Sequence, residues 1–175
     1  MPRVADFNIG RVLAVLFMAW YGLTNLQYRW MFLDNVNLII HEAGHLLWIP
    51  FGEFLTVLGG SSTQIIVPLV FLGYFWLVGQ RFAACVVSLW TASSLFNLAV
   101  YIADARAMVL PLLGGDNSTH DWNWILSESN VLSSDLAIAG FVRGVGILFL
   151  AFSVIAGLYF ARGDDIALPW ELKEP

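Results

Sequence analysis

Residues 41–45 read His41-Glu42-Ala43-Gly44-His45, and they lie inside strongly apolar sequence. Side chains four residues apart stand on the same face of a helix. His41 and His45 are therefore spaced to hold one zinc ion, and Glu42 on the adjoining face is placed to take a proton from water at the metal. Zinc lowers the pKa of such a water towards about 7, so hydroxide is available at neutral pH. The chemistry this spacing proposes is metal-assisted hydrolysis, with Glu42 as general base and then general acid.

Two histidines do not complete such a site, because a catalytic zinc usually has three protein ligands and one open position. The remaining histidine of the chain is His120, in a polar stretch that continues into Asp121 and Trp122. His120 is one candidate third ligand. Asp104, which follows an apolar run, is the competing one, since a carboxylate oxygen also suits zinc. Asp121 could instead orient a ligand by accepting a ring N–H. Arg106 and Arg143 are weaker candidates for stabilising an oxyanion.

The elements that must position these groups follow from composition. Of 175 residues, 59% are hydrophobic and 12% charged, about half the charge of a typical soluble domain. The apolar runs are long and lack strand-like alternation, so an all-α, polytopic membrane helix bundle is expected. It forms a single integral membrane domain over 1–175, with a polar loop at about 104–135 and a short polar tail at 161–175. Spans are expected near 9–26, 65–78, 82–103 and 136–160, which are long enough, or nearly so, for the roughly 20 residues a bilayer requires. The basic residues before residue 12 precede an apolar run with no small-residue cleavage signal, so the first span is read as uncleaved.

A fifth block, 31–58, carries the His-Glu-His cluster together with Asp34, Asn35, Asn37, Pro50 and Glu53. Proline interrupts the helical ladder, so a helix over 30–50 is expected, followed by a short re-entrant or interfacial segment at 51–60. The run Gly59-Gly60-Ser61-Ser62 reads as its turn. This arrangement keeps the histidines on the same side as the 104–135 loop. The count is about five membrane segments.

One cysteine, Cys85, rules out an internal disulfide framework and a Cys-rich zinc site. The net charge of −5 argues against a nucleic-acid partner, which would call for a basic face. The partners expected are the lipid bilayer and either a membrane peptide or protein substrate or a larger membrane protein complex. In the second case the chain would be an accessory or assembly subunit with a structural metal or none. A haem carrier is disfavoured, because two histidines on one helical face cannot bind opposite sides of the ring.

The HEAGH string within an apolar span resembles the site-2 type intramembrane zinc metalloproteases. That resemblance implies that His41 and His45 bind zinc with a later aspartate, and that Glu42 activates water. The family's aspartate lies in a Leu-Asp-Gly context, whereas Asp104 is flanked by Ala103 and Ala105. A further likeness, over most of 38–126, is to short bacterial membrane proteins with an HEAGH helix. It rests on Phe51-Gly52-Glu53-Phe54, Leu58-Gly59-Gly60-Ser61, Tyr101-Ile102-Ala103-Asp104-Ala105-Arg106 and His120-Asp121-Trp122. It implies that these strings belong with the HEAGH helix and that the protein sits in a bacterial inner membrane.

Overall fold

A computed structural model of the chain describes residues 7–27, 29–113 and 119–162. The expected polar tail beyond 162 and the loop residues 114–118 lie outside the described residues. Those described form six α-helices and no strand: α1 (Ile9–Asn25), α2 (Phe32–Trp48), α3 (Glu53–Leu77), α4 (Arg81–Ala103), α5 (Asp121–Glu128) and α6 (Asp135–Phe160). Three helical stretches, Glu53–Leu77, Arg81–Ala103 and Leu132–Phe160, are long and apolar enough to cross a membrane. Helix α1 is apolar but shorter, at 17 residues.

The polarity of the bundle is inverted relative to a water-soluble domain. Leu77, Phe141 and Ile155 are 85%, 74% and 70% exposed, while Asn37, Ser88, Thr91, Ser94 and Ser153 are fully buried. Water would penalise such a surface, whereas hydrocarbon accepts it and drives polar side chains inward. Ser88 and Ser153 find partners on neighbouring helices. Ser88 Oγ donates to the carbonyl of Phe149 at 2.8 Å, and Ser153 Oγ donates to that of Cys85 at 2.8 Å.

Helix α4 is the hub of the bundle and packs against every other helix. Its contact with α6 is close because Gly146 leaves room for the Phe96 ring; a Cβ there would lie 2.7 Å from Phe96 Cε1. Gly140 and Gly144, by contrast, face open space. Around this pair, Val15, Met18, Tyr21, Leu89, Ala92, Phe96 and Leu150 form the apolar core. The α1–α2 connection is stapled to the side of α6, where Arg143 donates to the Leu26 carbonyl at 2.9 Å.

Helix α2 ends before Pro50, which lies in a single 3-10 turn (Ile49–Phe51). Gly52, at φ 95°, then reverses the chain in a conformation that favours glycine. The expected short segment at 51–60 is not found. Helix α3 runs without interruption from Glu53 to Leu77, and the Gly59-Gly60-Ser61-Ser62 run lies inside it. Glycine normally weakens a helix interior, but here its lack of a side chain lets two helices meet. A Cβ on Gly44 of α2 would fall 2.5 Å from the Gly59 carbonyl oxygen and 2.9 Å from Gly60 Cα. The glycines are a packing seam, and the short helix of the fold is α5, within the 104–135 loop.

Candidate metal centre

The α2–α3 seam places His41 and His45 over Gly60. A Cβ on Gly60 would lie 2.7 Å from His41 Nε2 and 2.6 Å from His45 Nε2, so the missing side chain keeps a space in front of both rings. The third wall is Asp121, the first residue of α5. Its Oδ2 lies 2.9 Å from His41 Nε2 and 3.2 Å from His45 Nε2. One ligand atom from each of the three residues falls within 4.8 Å of the others.

The outer hydrogen bonds decide which ring nitrogens face this space. Gln64 Nε2 donates to the Ser94 carbonyl at 3.3 Å and to Asn97 Oδ1 at 3.0 Å, which leaves Gln64 Oε1 as an acceptor. That oxygen lies 3.2 Å from His41 Nδ1, so the His41 proton sits on Nδ1. His45 Nδ1 lies 2.9 Å from the Thr56 carbonyl oxygen, which can only accept, so its proton is on Nδ1 as well. In the neutral rings both Nε2 lone pairs then point at one carboxylate oxygen. Electron pairs converging in a buried site repel unless protons or a cation lie between them. Outer acceptors that hold imidazole in this tautomer are the usual partners of metal-bound histidines.

The donor set of two imidazoles and a carboxylate suits zinc. Three protein ligands leave a position open, as in catalytic rather than structural sites. Burial raises the pKa of the Asp121 carboxyl; where no cation lies between, protons on the facing His41 and His45 Nε2 atoms hydrogen-bond to it, more than reverse this and hold it below the ordinary range.

Asp121 reaches the histidines because α5 is docked by three long-range contacts. Its own N–H donates to the Tyr101 hydroxyl at 3.0 Å, Trp122 Nε1 donates to Ser61 Oγ at 3.0 Å, and Asn123 Nδ2 donates to the Ala105 carbonyl at 2.8 Å. Trp124 packs on Phe54, with ring centroids 6.0 Å apart.

The two residues expected to compete for the third position are engaged elsewhere. His120 caps α5, its Nδ1 accepting from Asn123 N–H at 3.2 Å, and its Nε2 lies 3.3 Å from Asp104 Oδ2. Asp104 also accepts from the N–H groups of Val109 at 3.1 Å and Leu110 at 3.0 Å, which shapes the loop after α4. Neither belongs to the His41, His45 and Asp121 group. Asp121→Asn is expected to lower bound zinc to below about one-tenth of the wild-type content, and Asp104→Asn to retain most of it. Elemental analysis of both variants distinguishes the two carboxylates, and retention by Asp121→Asn would exclude it as a ligand.

Beside the centre lies a cavity of about 370 Å³, lined in part by His41, Glu42, Gln64 and Tyr101. The Glu42 carboxylate makes no hydrogen bond or ion pair among the described residues. The Tyr101 hydroxyl, which accepts from the Asp121 N–H, also lies against the Asp121 carboxylate and helps to fix it. Arg106 and Arg143 do not line it: Arg106 Nε pairs with Asp135 Oδ2 at 2.7 Å, and Arg143 serves the α1–α2 connection. Sequence reasoning missed Gln64 and Tyr101 as members of this site. The signal for Gln64 is its place one turn after Gly60 on the face of α3 turned to α2.

The chain matches no family model, no curated protein and no solved structure. The functional reading therefore stands on the geometry of the site.

Proposed function

We propose that the protein is a zinc-dependent hydrolase of the membrane, most simply a peptidase, in which His41, His45 and Asp121 hold the ion. The observation that carries this reading is the convergence of the His41 and His45 Nε2 atoms on one Asp121 carboxylate oxygen, with each ring held from behind by an acceptor. When bound, zinc would supply a Lewis acid and lower the pKa of a water in the site. Glu42, on the cavity wall beside His41 and without an ion pair among the described residues, takes the proton from the attacking water and returns it to the leaving amine. Tyr101, on the same cavity wall, holds Asp121 in place through its hydroxyl. Gln64 and the Thr56 carbonyl keep both imidazoles in the tautomer that leaves Nε2 free.

The same reading places α1, α2, α3, α4 and α6 in a bilayer as five membrane segments, in a bacterial inner membrane. The likeness of the HEAGH helix to site-2 type proteases accords with it. The test is metal content. Detergent-purified protein should carry about one zinc per chain, and His41→Ala should carry almost none. Absence of zinc after attempted reconstitution would overturn the hydrolase and favour a subunit of a membrane complex.

A further inference from the structure

One face of α2 lines the cavity along most of its length, with Asp34, Leu38, His41 and Glu42 following one another at helical spacing. The proposed centre occupies the His41 and Glu42 end. The other end carries Arg29, whose side chain is exposed and makes no hydrogen bond or ion pair among the described residues. The nearby acid is already engaged, since Asp34 Oδ2 accepts from Asn25 Nδ2 at 3.0 Å and from Met31 N–H at 2.7 Å. A cation is therefore available at one end and a proton acceptor at the other. Leu38, Phe96, Val100 and Leu110 form apolar wall between them.

The length of this run sets the register of an occupant. Seven residues of helix separate Asp34 from His41, about 10 Å at 1.5 Å per residue. An extended peptide covers that distance in about three residues at 3.3–3.6 Å each. Asn25 lines the Arg29 end, and its buried Oδ1 has no hydrogen-bond partner among the described residues. A peptide N–H would satisfy it, which a fatty acid offers no group to do.

We propose that the cavity receives the free carboxyl terminus of an apolar peptide. The terminal carboxylate pairs with Arg29, and the bond presented to Glu42 lies two or three residues upstream. The cleavage part of this proposal rests on the hydrolase reading above; the binding part does not. In the reaction, the water oxygen bonds to the acyl carbon and the C–N bond breaks. The proton held by Glu42 passes to the amine of the released dipeptide or tripeptide.

Binding is measured on zinc-loaded, full-length Glu42→Gln protein in detergent, by polarisation of a fluorescein-labelled Ala/Leu octapeptide. The free-acid peptide is expected to bind at least about tenfold more tightly than its C-terminal amide, the scale of a charge-assisted pair. Arg29→Gln should abolish that difference and Arg29→Lys should keep part of it. Equal affinity for acid and amide, or a preference that survives Arg29→Gln, overturns the proposal. Displacement by dodecanoate as efficient as by unlabelled free-acid peptide overturns it in favour of a fatty carboxylate.

Wild-type protein is then given the same peptide, and mass spectrometry is expected to find a released dipeptide or tripeptide. Cleavage at another register overturns the placement along α2. Selective binding with no cleavage by the wild type would uphold the carboxylate site and sink the hydrolase reading alone.

Discussion

Replacing Glu42 with glutamine is expected to lower peptide cleavage by about 10²–10⁴-fold, the usual contribution of a positioned general base, while leaving zinc in place. The substitution preserves size and removes only the ability to take a proton. Glu42 lies outside the His41, His45 and Asp121 group, so the ligand set is untouched. Glu42 lines the cavity and makes no ion pair among the described residues, so none is broken by the change. Cleavage by Glu42→Gln at the wild-type rate would remove the base from the mechanism. Loss of zinc together with activity would show that Glu42 supports the site rather than the proton transfer.

Gly60→Ala is expected to lower zinc content to below about one-tenth of the wild-type value with little loss of helix. Alanine is the better helix former by about 1 kcal/mol, so the effect cannot come from propensity. The new methyl group would sit 2.6 Å from His45 Nε2 and 2.7 Å from His41 Nε2, well inside van der Waals contact. Both rings would have to swing away, giving up the Thr56 and Gln64 contacts that orient them. Overpacking of this kind costs about 1–3 kcal/mol. Gly59→Ala is the comparison: its Cβ meets Trp48 at 2.6 Å rather than the histidines, so zinc should remain. Zinc analysis beside far-ultraviolet circular dichroism decides the matter, and a Gly60→Ala protein with full zinc would mean that the ion does not sit in this space.

The difference between these glycines and their reading as a turn has a physical cause. Along the chain, Gly59-Gly60-Ser61-Ser62 is punctuation, because glycine has the most backbone freedom to lose. In the bundle, Gly59 and Gly60 lie against Gly44, and the short side chains let α2 and α3 approach closely. The favourable contact exists only when both helices are present. Local propensity does not contain it.

What the sequence determined by itself was local. Long apolar runs with little charge specify helices with lipid-compatible faces, since no other arrangement satisfies the backbone there. The four-residue spacing puts His41 and His45 on one face of α2, and Pro50 marks where that helix stops. Tertiary structure decided which acid meets the histidines. His120, Asp121 and Asp104 are all plausible by residue type, and they are separated from α2 by two long helices. The choice of Asp121 follows from how α5 docks, through Trp122 on α3 and through Tyr101 and the Ala105 carbonyl at the end of α4. That docking also directs His120 to Asp104 and away from the centre. Ligand spacing within one helix is set by a 3.6-residue period and can be read along the chain. Ligand pairing between helices depends on side-chain contacts distant in sequence, which the folded bundle alone brings together.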